Sequence, residues 1–273
     1  MYYLLTETFK SQESKLVALI RKAAPVERIY MLGSTLLQRR TESIFTPTSP
    51  TCRSVGHYWL LVLVDNVGKC NSHLQDKMEN SCRSLLPVTI IVLDISTFGN
   101  WLKQGHRFAQ TVKEIAVLLY TSSDSPFQSV AYRRQDNNKE VNNLSHAQSI
   151  IIIQEFIAGA ELYDKRSQYR MAAFMLHQAA EHALHAILKV GTGLHINTHN
   201  IDKLVRYCSM VADRVNDFFP RNSQVNKRLF HLLQEAYIAT RYKESDGITS
   251  NDIKTLMDRI NGLYQMAVSI TTA

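Results

Sequence analysis

The spacing of apolar residues changes near Ser145, and this change constrains the fold more than any other feature of the 273-residue sequence. Before it, continuous apolar runs such as Tyr58–Val64 alternate with segments of helical spacing. A short apolar run without polar alternation predicts a strand buried on both faces. After Ser145 the spacing is helical throughout, and Met171–Leu176 is apolar on nearly all sides, as in the central helix of a bundle. The sequence therefore predicts a two-domain chain, with an α/β domain followed by an all-α up-down helical bundle.

The first domain is predicted to hold a small mixed sheet between helices. Its predicted strands are 26–32, which ends at Gly33-Ser34, then 58–64 and 88–93, with helices at 6–24 and 71–85 among others. A polar, Ser- and Asn-rich segment follows and is typical of a linker. We therefore predict domains at 1–125 and 145–273, joined by a linker at 126–144.

The charge distribution favours anionic partners. The formal net charge is +7, and residues 1–144 hold 17 Lys and Arg against 12 Asp and Glu, so most of the excess lies in the first domain. Such a field attracts nucleotides or RNA, although a slightly basic protein without such a partner fits the same count.

The cysteines and apolar runs indicate a cytoplasmic protein without a membrane partner. None of the four cysteines forms a CxxC pair or a zinc pattern, which favours a reducing compartment. The start of the chain lacks the features of a signal peptide. The longest apolar runs, Trp59–Val64 and Ile150–Ile153, are far too short to span a bilayer.

Three segments of the second half resemble the HEPN family. In that family a Gln-Ala-x-Glu-like core lies on the second helix, a His followed by Leu opens the next helix, and a Tyr-x-x-x-Arg-Tyr segment ends a later one. The corresponding segments here, in the same order, are 169–188, 198–204 and 235–242. The resemblance implies a HEPN-like bundle over residues 145–273 and a homodimer formed through helix faces.

The first half resembles the minimal nucleotidyltransferases that often accompany HEPN domains. Gly33-Ser34 after an apolar strand is the first shared element. Those enzymes then carry an Asp-x-Asp pair that holds divalent ions, but the matching positions here are His57 and Trp59. Indole cannot ligate magnesium, and imidazole is a poor ligand for a cation that prefers oxygen. The domain is therefore expected to be degenerate, with no metal site.

The ribonuclease signature of many HEPN domains is also incomplete. It consists of an Arg followed, after four to six residues, by a His. Arg241 is followed by Tyr-Lys-Glu-Ser-Asp-Gly-Ile, which contains no imidazole to transfer protons near neutral pH. We therefore predict no catalytic residue.

Gln178 and Glu181 lie three residues apart on one helix and so share a face, and Arg241 is the expected partner of Glu181. This group either lines a ligand cleft or forms a buried ion pair that fixes the bundle register, or a dimer seam. The full set of candidate ligand-binding residues is Gly33, Ser34, Arg39, Arg40, Gln178, Glu181, His199, Arg241 and Tyr242.

Three functional hypotheses follow. The leading one is a non-catalytic, nucleotide- or RNA-associated binding or regulatory protein, whose ligand is a nucleotide held without magnesium. The second is a residual nucleotidyltransferase or ribonuclease that uses Asp65, Asp94, Arg241 and Asp246. The third is a structural dimerisation module with a vestigial site. The resemblance further implies a setting like that of toxin–antitoxin pairs.

Overall fold

The computed structural model describes residues 7–39, 52–65, 71–122, 138–242 and 247–271. The chain divides into two compact units, residues 1–133 and 134–273. Within the described ranges, no helix combines the length and the apolar character needed to cross a membrane.

The first unit alternates helices and strands. Its elements are α1 Glu7–Ala23, β1 Arg28–Arg39, β2 Cys52–Val64, α2 Asn71–Cys82, β3 Val88–Asp94, α3 Ile95–Lys103, α4 Arg107–Ile115 and β4 Val117–Thr121. The strands form one sheet in the order β3-β2-β1-β4. β2 pairs with β1 antiparallel and with β3 parallel, and β4 pairs antiparallel with β1. The predicted α/β domain with a small mixed sheet is confirmed.

Both faces of this sheet are covered, as the continuous apolar run in β2 predicts. Leu16 and Ile20 of α1 and Met78 of α2 pack in one core with the alternate β2 residues Leu60 and Val62. On the opposite face, the ring of Phe98 in α3 lies 6.2 Å from that of Tyr30 in β1. Since every second side chain of a strand points to the same face, β2 contributes apolar groups to both sides.

Gly33-Ser34 lies within a strand, which corrects the prediction that it ends one. β1 continues to Arg39 and pairs with β2 along this length, with a register irregularity between Met31 and Gly33. Hairpin pairing satisfies the backbone groups of Gly33 and Ser34, so the chain does not turn there. The predicted loop around Pro47 lies outside the described residues.

The second unit is helical throughout its described part. Its elements are α5 Asn138–Lys165, α6 Tyr169–Thr192, α7 Ile201–Cys208, a 3-10 helix Asp213–Phe218, α8 Gln224–Tyr242 and α9 Ser250–Thr271. The predicted all-helical second half is confirmed. α5 begins inside the segment that the sequence assigns to the linker.

α6 is the central helix and packs against α5, α7, α8 and α9. Alanines such as Ala172, Ala179 and Ala183 are fully buried along it. Small side chains allow neighbouring helices to approach closely, and alanine also has the best helix propensity. Gly193 ends the helix with φ 79°, a left-handed conformation that favours glycine.

A bidentate ion pair fixes the start of α9. Both guanidinium nitrogens Nη1 and Nη2 of Arg228 in α8 donate to the carboxylate of Asp252 at 2.8 Å. The same carboxylate accepts from the backbone N–H of Thr249, whose hydroxyl accepts from the N–H of Asp252. This reciprocal cap satisfies N–H groups that a helix start otherwise leaves without partners.

We predict that Asp252→Asn lowers the free energy of unfolding by about 1–3 kcal/mol, because it removes a charge-assisted bond and weakens the cap. Chemical denaturation measures the change. Asp258→Asn, at an exposed position of the same helix, is the matched control and should change it by less than about 0.5 kcal/mol. Equal effects of the two substitutions would contradict this role of Asp252.

Candidate functional site

A polar face interrupts the apolar surface of α6. Gln178, Glu181, His182 and His185 follow the i, i+3, i+4, i+7 spacing of one helix face, and we call these four residues the polar face of α6. Glu181 is 7% exposed and the other three are partly buried. Such groups lose free energy in a helical core unless they find partners.

Glu181 has two histidine partners. Nδ1 of His199, which lies just before α7, donates to Oε1 of Glu181 at 2.9 Å. Nε2 of His177, one helical turn before Glu181, lies 3.5 Å from Oε2. The carboxylate therefore joins α6 to the connection between α6 and α7.

His177 is fully buried and fixed on both sides. Its Nδ1 lies 2.9 Å from the backbone carbonyl oxygen of Leu233 in α8, which only accepts, so the imidazole donates. Its Nε2, on the other side of the ring, faces Oε2 of Glu181.

Aromatic rings border the polar face of α6. The ring of Tyr237 in α8 stacks on His199 with centroids 5.0 Å apart and an interplanar angle of 12°, and it also stacks on His177 at 5.6 Å. On the α5 side, Phe156 stacks on His182 at 5.3 Å. The polar face thus lies between rings that offer flat surfaces.

The surroundings of these groups shift their pKa values and give them different charges at neutral pH. Burial by itself raises the pKa of Glu181, but hydrogen bonds and charge from His177 and His199 outweigh it and hold the pKa below its ordinary value. Burial lowers the pKa of His182 and His185, with nearby Glu181 opposing the change. At neutral pH this gives an ionised Glu181 beside neutral His182 and His185.

Three polar atoms on the polar face are buried without a hydrogen-bond partner. They are Nε2 of Gln178, Oε2 of Glu181 and Nδ1 of His185. Nε2 of His185 lies 3.3 Å from the carbonyl oxygen of Thr198, which leaves Nδ1 as the atom without a partner. Since most buried polar groups in folded proteins are paired, each such group calls for an explanation.

The structure joins two of the predicted site residues in this unit, Glu181 and His199, and places Gln178 on the same face of α6 as Glu181. The expected partnership of Glu181 with Arg241 is not the one described, since His177 and His199 contact the carboxylate. For Arg241 and Tyr242 only the backbone is described, at the end of α8. Sequence reasoning missed His177 and Tyr237 as site residues. The four-residue spacing between His177 and Glu181 indicates the first, and the Tyr-x-x-x-Arg-Tyr segment begins with the second.

In the first unit, Gly33 and Ser34 pair with β2 beside His57 and Trp59. Gly33 pairs with Trp59, and two positions along β1 Thr35 pairs with His57. Nε2 of His57 lies 2.9 Å from Oγ1 of the buried Thr89 in β3, and its ring lies 4.7 Å from that of Trp59. The described contacts of His57 are thus with a hydroxyl and a ring.

Of the remaining predicted residues, the structure describes the side chains of Ser34, Asp65 and Asp94. Ser34 is exposed on β1, Arg39 is described by its backbone only, and Arg40 and Asp246 lie outside the described residues. Oδ1 of Asp94 accepts from the N–H of Ser96 and of Thr97, so this carboxylate caps α3. Asp65 is exposed at the end of β2. Within the described ranges, no three His, Cys, Asp or Glu side chains converge to hold a metal ion.

Comparison with known proteins assigns the second unit. Residues 154–270 match the family model of the HEPN domain. This range runs from within α5 to the last turn of α9 and includes Gln178, Glu181 and His199. The chain therefore carries a HEPN domain, and this part of the sequence prediction is confirmed.

Solved structures include a nucleotidyltransferase-like protein from Exiguobacterium sibiricum 255-15, determined at 1.90 Å resolution. It is 11% identical to this chain with a TM-score of 0.31, and the match covers 96% of this chain and 76% of that one. No curated protein matches the chain.

We predict that Glu181→Gln lowers the free energy of unfolding at pH 7 by about 1–3 kcal/mol, because it removes a buried, hydrogen-bonded charge. A carboxyl whose pKa is lowered by folding stabilises the native state above its ordinary pKa of about 4, and this contribution is lost as the pH falls through the folded value. The deficit of the variant should therefore shrink between pH 5 and pH 3.

Urea denaturation across this pH range measures the effect. Glu161→Gln, at an exposed position of α5, is the matched control and should show a deficit near zero at every pH. A deficit of Glu181→Gln that stays constant as the solution is acidified would contradict the assigned role.

Proposed function

We propose that this chain is a non-catalytic, nucleotide- or RNA-binding protein of the nucleotidyltransferase–HEPN type, and that the polar face of α6 with His199 is its ligand site. The HEPN match and the α/β first unit support the domain type. The observation that carries the proposal is the buried Nε2 of Gln178, a donor without a hydrogen-bond partner on the polar face of α6.

A purely structural role explains only part of this arrangement. An ion pair that fixes the bundle register accounts for Glu181 and His177, whose Oε2 and Nε2 lie 3.5 Å apart inside the core. It does not account for the side-chain amide of Gln178, whose burial costs free energy that no hydrogen bond offsets. It also does not account for the stacked His199, whose side chain is 55% exposed. Both features fit a surface that completes its hydrogen bonds with a ligand.

The chemical groups present suit a nucleotide. Bases stack on aromatic rings largely irrespective of sequence, and His199 on Tyr237 offers such a surface. Amide groups such as that of Gln178 recognise base edges or phosphate oxygens. We also propose that phosphate is contacted in the first unit by Ser34, Arg39 and Arg40.

The absence of turnover follows from three local features. His57 and Trp59 occupy the positions of the metal-binding acids, and Asp94 is engaged as a helix cap. No His follows Arg241 within seven residues. Magnesium is therefore not part of the proposed ligand. We further propose that the protein is a cytoplasmic homodimer that pairs through its helical bundle, in a setting like that of toxin–antitoxin pairs.

We predict that Gln178→Met weakens nucleotide binding at least about fivefold while leaving the free energy of unfolding unchanged or raising it by about 1 kcal/mol. The reason is that replacing an unpaired buried amide by an apolar group of similar shape removes a desolvation cost. Isothermal titration calorimetry with ATP, in magnesium and in EDTA, measures binding. Gln148→Met, at an exposed position of α5, is the matched control.

Two outcomes would reject the proposal. A structural role for Gln178 predicts that Gln178→Met destabilises the protein and leaves any ATP affinity intact. An enzyme predicts magnesium-dependent incorporation of labelled nucleotide, or cleavage of a labelled RNA, by the unmodified protein. ATP bound equally well in magnesium and EDTA, without product, supports a binding protein.

A further inference from the structure

We propose that the outer surface of α1 and α2 in the first unit binds the phosphate backbone of a polynucleotide. This inference rests on the proposed function and deepens it, because it decides between a mononucleotide and a nucleic-acid chain as the ligand. We call this region the basic surface. It is defined by six exposed basic side chains, which are Lys10, Lys15, Arg21, Lys22, Lys77 and Arg83.

Four of these side chains lie in two rows on the outward face of α1. Lys10 and Arg21 are eleven residues apart, which is three helical turns, so they form one row roughly 17 Å long. Lys15 and Lys22 are two turns apart and form a second row of about 10 Å. The exposed positions between the rows carry only small side chains, at Ser11, Ser14 and Ala18. The positive charge is thus spread along the helix.

α2 extends the positive charge beside α1. The two helices pack against each other, and Met78 of α2 lies in the same core as Leu16 of α1, on one face of the sheet. Lys77 is exposed on α2, and Arg83 is exposed directly after its last residue. The basic surface therefore covers the outside of a whole helical layer.

Acidic groups are nearly absent from this surface. Among the side chains that the structure describes in α1 and α2, Asp76 is the one exposed acid. Glu13 is only 8% exposed, and Oε1 of Glu79 accepts from the backbone N–H of Ile90 in β3 at 3.0 Å. Six exposed basic groups against one exposed acid produce a local positive field, which attracts a polyanion.

A solvated helix face ordinarily carries both signs of charge. The outward face of α9 shows this pattern, with Lys254 and Asp258 both exposed. On α1, by contrast, Arg21 is also held in place, since its guanidinium carbon lies 4.3 Å from the ring centroid of Tyr120. Stacking on a ring leaves the N–H groups at the guanidinium edge able to donate to a phosphate.

A nucleic-acid backbone fits this surface better than a lipid layer does. A helix that binds a membrane surface inserts its apolar side into the lipid. The apolar side of α1 is instead committed to the core, where Leu16 and Ile20 are fully buried. The basic surface therefore offers an anionic partner charge without an apolar anchor.

The length of the basic surface favours a chain over a single nucleotide. A mononucleotide carries its phosphates at one end and cannot contact charges roughly 17 Å apart along α1. A polynucleotide carries one phosphate per nucleotide and supplies several anionic groups over this length. Each phosphate that a Lys or Arg neutralises releases counterions, so the affinity should fall steeply with salt.

The test is fluorescence anisotropy of the full chain with labelled single-stranded RNA, duplex RNA and duplex DNA of equal length, across a series of sodium chloride concentrations. About three to five phosphate contacts predict a slope of about −2 to −4 for the logarithm of the association constant against the logarithm of the salt concentration. Vesicles of phosphatidylcholine with phosphatidylserine are the comparison for a lipid surface.

A matched pair of triple variants assigns the effect to the basic surface. Lys15→Gln, Lys22→Gln and Lys77→Gln combined should weaken polynucleotide binding at least about tenfold and reduce the magnitude of the salt slope by about 2. The control combines three exposed lysines of the second unit, Lys165→Gln, Lys227→Gln and Lys254→Gln. It removes the same net charge and should change the affinity by less than about twofold. Thermal unfolding reports on the fold of both variants.

The outcomes separate this inference from the ligand site on α6. Binding of any of the three polynucleotides with this salt dependence and this difference between variants supports the basic surface, whatever Gln178→Met does to ATP binding. Equal effects of the two triple variants, or a salt slope near zero, would overturn it and leave nucleotide binding on α6 intact. Tighter binding to the anionic vesicles than to every polynucleotide would also overturn it. The absence of binding by ATP and by all polynucleotides would overturn both proposals.

Discussion

The interaction on which the second unit depends is the carboxylate of Glu181 held between two imidazoles. A buried carboxylate costs several kcal/mol of desolvation unless partners surround it. Here His177 binds it from the same helix and is anchored to α8 through the carbonyl of Leu233, while His199 binds it from the segment before α7. One buried charge therefore fixes the relative position of three helices and the orientation of an exposed ring.

The same arrangement joins the core of the bundle to its surface. Glu181 and His177 lie 3.5 Å apart in the core, and the interaction of Glu181 with His199 continues to the surface, where Tyr237 holds the ring flat. The unpartnered amide of Gln178 lies on the same helix face. Buried polar groups without a partner are uncommon in folded proteins. The helix centre thus combines a packed apolar surface with one face suited to a polar ligand.

The first unit shows a different use of polar positions. His57 bonds to Thr89 and its ring packs on Trp59. These contacts stabilise the sheet, because they join side chains of the neighbouring strands β2 and β3.

Local spacing in the sequence determined the kinds of elements and much of their position. The apolar run of β2 and the helical spacing after Ser145 are local properties, and both predict the right element. A strand buried on both faces needs apolar residues at successive positions, whereas a helix buried on one face needs them at helical spacing. The shared face of Gln178 and Glu181 follows from their separation along one helix. So does the spacing of His177, which lies one turn before Glu181.

Only the tertiary structure decided which groups meet. Glu181 binds His199 eighteen residues away, and Tyr237 reaches both histidines from α8, because these contacts depend on how helices pack. Gly33-Ser34 lies in a strand rather than a turn, because pairing with the distant β2 supplies its backbone hydrogen bonds. Periodicity is set by neighbours in sequence, whereas partners of buried charges and strands are chosen by the packing of the whole domain.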